Sequence, residues 1–316
     1  MLHVLPGPIQ GVIMGLLLAI NTVFWATPLY VLVLIKLITP WRGGRDALSH
    51  MAASLAQNWA SCNTIFSRKL HRIEWDVRIG VPLSPDKQYL VCANHQTWND
   101  IFVLMHAFGR RAPFFKFFLK QELIWVPVLG LAWWGLDYPF MKRSTPDQIK
   151  KNPSLKGKDL ETTRKACEKF RNQPVLILNF LEGTRFTKTK QVNQKAPYKH
   201  LLRPKAGGFA FAMEAMGDKL HDLIDVTIAY PGGAMGFWDF LCGRVRRVIV
   251  DVRPLKLPDG MLDGLIRGDY ETSNDFRKQF QFWIGDLWKE KDRRIAEMLG
   301  LPPPVYANNN GGGASG

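Results

Sequence analysis

Cysteines and acidic residues are both scarce in this sequence. The four cysteines lie far apart and form no C-x-x-C pair, at Cys62, Cys92, Cys167 and Cys242. Their spacing excludes a thiolate zinc cluster and gives no sign of a disulfide framework, which favours a reducing compartment. The 27 acidic residues stand against 42 lysines and arginines, for a net charge of +15. That excess predicts an anionic partner: nucleic acid, an acidic lipid surface or a phosphorylated substrate.

Charged side chains are absent from the first 35 residues, Met1–Ile35. Within them, Gly11–Ile35 is an apolar run, and a helix rising about 1.5 Å per residue over that run is long enough for a hydrocarbon core of roughly 30 Å. Cations follow it directly, at Lys36, Arg42 and Arg45. The pattern predicts a membrane-embedded anchor over residues 1–45, with the rest of the chain on the cytoplasmic side by the positive-inside rule. Pro28 and Asn21 leave open whether the segment spans the bilayer or re-enters one leaflet, and a buried soluble helix is the alternative.

After this anchor the chain alternates strand-like and helix-like stretches. An amphipathic linker helix is predicted over 46–73, one domain over 74–300 and a flexible tail over 301–316. Strands are predicted at 75–80, 88–93, 114–119, 136–141, 174–180, 224–230 and 247–252. Helices are predicted at 100–108, 158–171, 208–216 and 274–299. This alternation, with 47% hydrophobic residues, predicts an α/β fold with a mixed, largely parallel central sheet flanked by helices.

The strongest chemical signal is the segment Asn94–Asp100, NHQTWND, between an apolar strand and an apolar helix. His95 and Asp100 are five residues apart, so a strand-to-helix turn can fold the carboxylate onto one imidazole nitrogen. The other nitrogen is then free to take a proton. No G-x-S-x-G occurs in the sequence, and a base without a protein nucleophile suits direct transfer to a hydroxyl of a second substrate. Taken alone, the pattern also fits a helix-capping aspartate beside a structural histidine.

A second signal is FLEGTR, residues 180–185, directly after the most apolar strand. Gly183 permits a tight turn, Thr184 and backbone amides can donate, and Arg185 offers a planar fork for a phosphate. Cations without any acid follow up to Met213: Lys188, Lys190, Lys195, Lys199, Arg203 and Lys205. Beside a candidate anion site this run predicts contact with an anionic membrane surface, and a solvated basic loop is the alternative.

Together these segments resemble the glycerolipid acyltransferases typified by 1-acylglycerol-3-phosphate acyltransferase. NHQTWND is similar to the first motif of that family, N-H-[QR]-[ST]-x-x-D, and EGTR is similar to the third. Between them, the segment from Lys120 with Pro127 and Gly130 resembles the stretch K-x-x-L-x3-P-x-x-G, and 135–143 resembles the second motif.

The resemblance extends to Tyr230-Pro231, which closes a strand as the fourth motif does. EGTRFT followed by LLRPK further resembles the branch that contains bacterial and reticulum-membrane lysophospholipid acyltransferases. The chain departs from the family pattern at Leu181 and Thr97 and in its reduced fourth motif. None of these departures removes a chemically active group.

The resemblance implies a membrane-bound acyltransferase with His95 as general base and Asp100 as the residue that orients it. The implied donor is acyl-CoA or acyl carrier protein, and the implied acceptor is the free hydroxyl of a lysophospholipid of the lysophosphatidic acid type. The implied substrate-binding residues are Lys120, Arg143, Glu182, Gly183, Thr184 and Arg185. Neither a metal nor a cofactor is implied, no nucleic acid is expected, and the implied location is a bacterial inner membrane or its equivalent.

Two other classes of function are compatible with parts of the pattern. One is a membrane-anchored basic protein that binds lipid surfaces or nucleic acid and has a structural His-Asp pair. It predicts aromatic residues interleaved with clustered cations. The other is a phosphohydrolase or esterase acting through His95. It predicts transfer to water, whereas an acyltransferase needs an added lysolipid.

Overall fold

The computed structural model describes residues 4–141, 174–217 and 222–306. The strands are β1 (Glu74–Ile79), β2 (Gln88–Ala93), β3 (Phe115–Phe117), β4 (Leu119–Lys120), β5 (Phe140–Met141), β6 (Val175–Phe180), β7 (Asp222–Ala229) and β8 (Arg247–Pro254). The helices are α1 (Gly7–Ile38), α2 (Arg42–Leu70), α3 (Asp100–Phe108), α4 (Leu129–Gly135), α5 (Lys188–Asn193), α6 (Ala206–Met216), α7 (Phe237–Leu241), α8 (Met261–Ile266), α9 (Asp269–Thr272) and α10 (Asn274–Met298).

Six strands form one sheet in the order β1-β8-β7-β2-β6-β3, and β4 pairs with β5 in a second, two-stranded sheet. All neighbours in the large sheet are parallel except β7 and β8, which are antiparallel. The central strand β2 is buried along its whole length, as is typical of a parallel sheet covered on both faces. The predicted α/β fold with a mixed, largely parallel sheet is confirmed.

Two of the predicted strands differ from the structure. The stretch predicted at 114–119 divides into the short strands β3 and β4, and the stretch predicted at 136–141 is extended only at β5. Leu136 closes α4 by donating its backbone N–H to Ala132, and Asp137 has a left-handed backbone with φ of 60°. A helix end followed by a left-handed residue interrupts an extended chain whatever its hydrophobicity. The helix predicted at 158–171 lies outside the described residues.

The large sheet separates two apolar clusters. Leu90 and Cys92 of β2 face the side covered by α6 and α10. Tyr89 and Val91 face the opposite side, which is covered by α3 and by Met14 of α1. This alternation follows from the two-residue period of a strand. The two clusters define two faces of the molecule, the α10 face and the α1 face.

Helices α1 and α2 form an antiparallel hairpin on the α1 face. Asn21 donates its side-chain N–H to Oδ1 of Asn63 at 2.7 Å, which places a polar pair in the middle of the hairpin. At one end of α1, Gly11 packs against the side chain of Trp238 in α7. At the other end, Lys36 pairs with Asp137 at 2.5 Å. The segments predicted as anchor and linker helix therefore pack directly on the domain.

One side of α1 is nevertheless uncovered. Among the described residues, α1 is the one helix long and apolar enough to cross a membrane. Its exposed apolar side chains recur at helical spacing and form a continuous stripe: Ile9, Val12, Leu16, Ile20, Val23, Phe24, Val31, Leu34, Ile35 and Ile38. We refer to this set as the apolar stripe.

A buried ion network attaches α10 to the sheet. Lys291 is fully buried, and its Nζ lies 2.5 Å from Oδ1 of Asp225 and donates to the Val226 carbonyl at 2.6 Å. Arg294 pairs with the other oxygen of Asp225 at 2.7 Å. Each buried charge has an opposite partner, which offsets much of its desolvation penalty. The network fixes β7, the strand that leads to Tyr230.

Candidate active site

His95 and Asp100 meet at the turn between β2 and α3. His95 Nδ1 lies 2.8 Å from Oδ2 of Asp100, and the carboxylate is fully buried while the imidazole is 15% exposed. The turn forms because β2 ends at Ala93 and Asp100 begins α3, where a carboxylate is favoured by the helix dipole. An ionised carboxylate accepts only, so Nδ1 carries the proton and Nε2 is the basic nitrogen.

Asp100 accepts three further hydrogen bonds. Oδ2 also receives the backbone N–H groups of Gln96 at 2.6 Å and Thr97 at 3.1 Å. Oδ1 receives the hydroxyl of Tyr230 at 2.6 Å, and burial together with the Asp100 charge raises the pKa of that tyrosine. Donors on both oxygens stabilise the anion and fix its orientation. The Asp100 side chain is therefore fixed in the orientation that holds the imidazole.

The two asparagines of the NHQTWND segment have separate structural tasks. Asn94 donates to the Ile228 carbonyl at 2.9 Å and accepts from the Ile228 N–H at 2.8 Å, so its side chain continues the pairing of β2 with β7. Asn99 donates to the Met235 carbonyl at 2.9 Å. The first contact fastens the turn to β7, and the second fastens it to the loop after β7. The segment is thus held at both ends around His95.

Glu182 lies directly behind His95 and is fully buried. Oε1 accepts the backbone N–H of His95 at 2.8 Å, and Oε2 accepts the backbone N–H of Leu202 at 3.0 Å. Burial raises the pKa of Glu182 to about 8, against the lowering effect of the two amide donors. The prediction grouped Glu182 with the substrate-binding residues. Both oxygens face backbone amides and have no exposed surface, so the side chain positions the His95 turn, and the grouping with the substrate-binding residues stays a prediction.

The rest of the EGTR turn stands beside the same pair. Gly183 has a φ of 65°, a left-handed conformation that glycine adopts without strain, which confirms the predicted tight turn. Thr184 accepts a hydrogen bond from Lys190 through Oγ1 at 2.8 Å. The Arg185 guanidinium lies 4.5 Å from the ring centroid of Trp98, a half-exposed residue of the NHQTWND segment. Arg185 is thus held next to His95 by a cation–π contact.

One predicted site residue, Lys120, belongs to a different element from these turns. Lys120 is exposed on β4, in the two-stranded sheet. Arg143 lies outside the described residues. The structure therefore brings together His95, Asp100, Glu182, Gly183, Thr184 and Arg185 of the predicted set.

Three further residues shape the site. Tyr230 holds the second oxygen of Asp100, Trp98 holds Arg185, and Phe180 stacks on the His95 ring with centroids 4.0 Å apart. Tyr230 and Phe180 lie within segments that the sequence analysis singled out, but it assigned no role to either side chain. Their aromatic rings at the ends of β7 and β6 are the signal that could have identified them, because parallel strands end at the same edge of a sheet.

The model of the acyltransferase family matches residues 74–231, half of the chain and all of the turns just described. The chain belongs to the acyltransferase family. It is 26% identical over 201 residues to human 1-acyl-sn-glycerol-3-phosphate acyltransferase gamma, which covers 60% of this chain and 47% of the relative. It is 24% identical to 2-acyl-1-lysophosphatidylinositol acyltransferase of Saccharomyces cerevisiae, over 63% of this chain and 58% of that relative. The chain spans about half the length of the curated relatives it matches.

A solved structure is also similar to this acyltransferase. The crystal structure of the 1-acyl-sn-glycerophosphate acyltransferase from Thermotoga maritima matches with a TM-score of 0.46 and 16% identity. The match covers 84% of this chain and 98% of that one.

Proposed function

We propose that this acyltransferase moves a fatty acyl group from a thioester donor, acyl-CoA or acyl carrier protein, to the free hydroxyl of a lysophospholipid. The contact that carries the proposal is His95 Nδ1 to Asp100 Oδ2, at 2.8 Å, with the carboxylate buried under four donors. This arrangement leaves Nε2 as an oriented base. The names of the relatives, which act on lysophospholipids, support the class of acceptor.

The reaction needs one oriented base and no protein nucleophile. Nε2 of His95 takes the proton from the acceptor hydroxyl as the hydroxyl oxygen attacks the thioester carbonyl carbon. Collapse of the tetrahedral intermediate breaks the carbon–sulfur bond, and the sulfur leaves with the proton that His95 holds. Asp100 stabilises the imidazolium between these two transfers. General base catalysis of this kind contributes about 10²–10⁴-fold.

The acceptor phosphate is assigned to Arg185, with Arg143 as a second candidate. The Arg185 guanidinium is planar and can hold two phosphate oxygens at once. The contact with Trp98 holds the Arg185 guanidinium against the segment that carries His95. A phosphate bound to Arg185 would thereby determine which acceptor hydroxyl reaches Nε2 of His95.

An apolar cavity of about 90 Å³ lies between α1, α2, α3 and α4, and we assign part of the acyl chain to it. Ile101 and Met105 of α3 line it, directly after Asp100, together with Ala26 of α1, Trp59 of α2 and Trp133 of α4. A fatty chain buried there is removed from water, at about 25 cal/mol per Å² of apolar surface.

The apolar stripe supports membrane attachment in the plane of one leaflet. Contacts with the domain extend from Gly11 to Lys36, so α1 stays against the domain along its length and presents the stripe to one side. A helix buried on one side and apolar on the other fits an interfacial position. Catalysis on the cytoplasmic side of the membrane is part of this proposal.

The test is an acyl transfer assay with purified protein, labelled acyl-CoA and a panel of lysolipids. Transfer to a lysophospholipid, with little release of free fatty acid when the lysolipid is omitted, is the expected result. Rapid acyl transfer to water in the absence of a lysolipid would identify a hydrolase instead. Parallel reactions with acyl carrier protein determine the donor.

A further inference from the structure

The loop between α5 and α6 lies between α10 and the two turns of the candidate active site. Its residues 199–202 bond to α10 on one side. On the other side they bond to Gln96 of the NHQTWND segment and to Glu182 of the EGTR turn. We call residues 199–202 the connecting loop. Through this loop, contacts made by α10 reach the residues around His95.

Asp292 of α10 holds the first half of the connecting loop. Its carboxylate is fully buried, and Oδ2 accepts the backbone N–H of Lys199 at 2.8 Å while Oδ1 accepts that of His200 at 2.7 Å. The Tyr306 hydroxyl also donates to Oδ2, at 2.7 Å. Three donors on the two oxygens stabilise the buried anion and fix its orientation. The peptide groups of the loop are therefore held in one place relative to α10.

The second half of the connecting loop is held from both sides. Trp288 donates its indole N–H to the Leu202 carbonyl at 3.1 Å, while the Leu202 N–H donates to Oε2 of Glu182 at 3.0 Å. Earlier in the loop, the His200 carbonyl accepts the side-chain N–H of Gln96 at 3.1 Å. The loop thus joins α10 to one residue of each active-site turn.

The contacts with Gln96 and Glu182 bear directly on His95. Glu182 accepts the His95 N–H through its other oxygen at 2.8 Å, and Gln96 is the next residue in the chain. The carbonyl of His95 accepts the backbone N–H of Phe186 at 2.8 Å. The backbone of His95 is thus fixed by the EGTR turn and, through it, by the connecting loop. A shift of a reacting group by about 1 Å can cost on the order of 10²-fold in rate.

The attachment of α10 to the sheet does not account for Asp292. That attachment is made by Lys291 and Arg294, which pair with Asp225. The donors to Asp292 come from the connecting loop and from Tyr306 instead. Burying a carboxylate costs free energy, and an apolar residue of similar size would fill the same space without that cost. The benefit of a carboxylate at this position is the geometry that it imposes on the loop.

We propose that Asp292 is a positioning residue for acyl transfer, which holds the connecting loop so that Gln96 and Glu182 keep His95 in place. This inference rests on the proposed function. Asp292 lies beyond residues 74–231, the part of the chain that the family model matches. The carboxylate acts through the loop and does not need to touch a substrate. Its loss therefore lowers kcat, while the binding of both substrates is retained.

The first experiment compares the steady-state kinetics of Asp292→Asn with those of the wild type. The amide keeps the volume but turns a donor towards one of the loop N–H groups, so a hydrogen bond is lost. We expect kcat to fall about 10-fold or more and both KM values to change less than about 3-fold, because Arg185 stays in contact with Trp98. Tyr306→Phe removes only the third donor to Asp292 and is expected to lower kcat by a smaller factor.

The matched control is Phe280→Leu. Phe280 is fully buried near the opposite end of α10, and its ring contacts Tyr270 of α9. We expect this variant to unfold at a lower temperature than the wild type and to keep the wild-type kcat. Thermal unfolding of Asp292→Asn and Tyr306→Phe shows that the proteins compared in the assay are folded.

Hydrogen exchange tests the same contacts without turnover. Exchange is measured by mass spectrometry on the peptide 94–100, whose backbone N–H groups at His95 and Gln96 are hydrogen-bonded. We expect Asp292→Asn to raise the exchange rate of this peptide about 10-fold relative to the wild type, because the connecting loop no longer holds the turn. Phe280→Leu is expected to leave the rate unchanged.

A double-mutant cycle tests whether Asp292 acts through the connecting loop. Gln96→Leu removes the side-chain donor to the His200 carbonyl and leaves the backbone contact with Asp100. If Asp292 acts through the loop, loosening the loop already weakens the Gln96 contact. The kcat loss of the double variant is then smaller than the product of the two single losses.

Four results would overturn the inference. The first is a folded Asp292→Asn protein with wild-type kcat, and the second is an equal loss of kcat in Phe280→Leu. The third is a multiplicative loss in the cycle, since Asp292 and Gln96 would then act independently. The fourth is unchanged exchange of the peptide 94–100. Absence of acyl transfer by the wild type, together with faster exchange in Asp292→Asn, would contradict the proposed function alone.

Discussion

At the scale of single residues, the site depends on how fully the hydrogen-bonding capacity of the Asp100 carboxylate is used. Asp100 accepts two backbone amides, a tyrosine hydroxyl and the His95 ring. Such a carboxylate has little freedom to rotate, and the imidazole it holds has one accessible nitrogen. The proposed chemistry of the site therefore depends on Nε2 of His95.

Substituting His95 by alanine is expected to lower kcat by about 10²–10⁴-fold, because the general base is removed. The matched control is His50→Ala, since His50 is exposed on α2 and bonds only within its own helix. Single-turnover rates with labelled acyl-CoA measure the effect, and circular dichroism confirms the fold. A folded His95→Ala protein with wild-type turnover contradicts the mechanism.

Arg185→Lys is expected to raise the acceptor KM roughly 10- to 100-fold, because the ammonium keeps the charge but loses the planar fork. Trp98→Leu removes the ring under the guanidinium and shifts the same KM by about 2- to 5-fold. Arg267→Lys, at an exposed ion pair with Asp269, is the control. If the donor KM rises and the acceptor KM does not, Arg185 serves the donor phosphates.

The sequence was sufficient to predict the His95–Asp100 pair because the contact is local, five residues apart at a strand-to-helix turn. It did not predict that Tyr230 holds Asp100, because that contact joins residues 130 positions apart and depends on β2 lying beside β7. The positioning contacts of Glu182 were not predictable for a related reason. Its motif indicates a turn, but only the packing of β2 against β6 shows that its carboxylate points at the backbone.

At the scale of elements, the turn into α4 stores backbone strain. Val128 has a φ of 64°, which is a rare conformation for a β-branched residue, and its carbonyl accepts the Tyr30 hydroxyl of α1. Gly130 follows, where a Cβ would overlap the carbonyl oxygen of Ile124. Pro127 and Gly130 of the K-x-x-L-x3-P-x-x-G stretch therefore belong to a tight turn that supports α1.

Val128→Gly is expected to stabilise the protein by about 1 kcal/mol, since strain of about 1–3 kcal/mol is relieved and part of it is offset by the entropy of glycine. Val126→Gly is the matched control, because Val126 has an ordinary extended backbone with a φ of −67°. The Val126→Gly protein is expected to be less stable than the wild type. Urea unfolding of the three proteins measures the difference. A loss of stability in both variants would show that Val128 is not strained.

His106 is expected to make stability depend on pH. It stacks on Trp75 of β1 with centroids 3.8 Å apart, and burial, aided by Arg68 and Arg111, lowers its pKa to about 4. The unfolded histidine titrates near 6.5, so the unfolded state binds more protons between these values. The contribution of His106 is thus present above about pH 6.5 and is lost as the pH falls towards 4.

The measurement compares urea midpoints at pH 8 and pH 5 for the wild type and His106→Phe, which keeps the stacked ring. The wild type is expected to lose more stability on acidification than the variant. His71, whose pKa burial also lowers, is common to both proteins and does not affect the comparison. Equal losses would assign the acid sensitivity to other groups.

Most elements of the sheet were predictable because their apolar runs are long and bounded. The observed β2 and β6 agree with the predicted 88–93 and 174–180 to within a residue. The region 114–141 was not predictable at this level. It is as apolar as a strand, but its conformation is set by left-handed residues and by contacts with α1 that no local pattern records.

At the scale of the whole molecule, α1 serves the core and the surface together. Met14 is fully buried in the same cluster as Tyr89 of the central strand, and Leu16 and Ile20 are more than half exposed. Deleting Met1–Ile35 would therefore remove core as well as anchor. The division of residues 1–300 into an anchor, a linker helix and a domain stays a prediction. In the structure, these three segments pack against one another.

Replacing Leu16 and Ile20 by glutamate is expected to reduce vesicle binding at least 10-fold with little loss of stability, because both side chains are exposed and apolar. Phe282→Glu is the control, since Phe282 is 70% exposed on α10, on the other face of the sheet. Flotation with anionic vesicles measures the effect. Unchanged flotation of the double variant would place the membrane contact elsewhere.

The ion network under α10 has a consequence for the order in which the molecule becomes active during synthesis. By the time Pro231 has been translated, His95, Asp100, Arg185 and Tyr230 are already part of the nascent chain. At that moment Asp225 still lacks both of its cations, because Lys291 and Arg294 have not been translated. The strand that aims Tyr230 at Asp100 cannot bury its carboxylate until they arrive. We therefore expect the nascent chain to carry its reactive groups in an inactive form until α10 emerges.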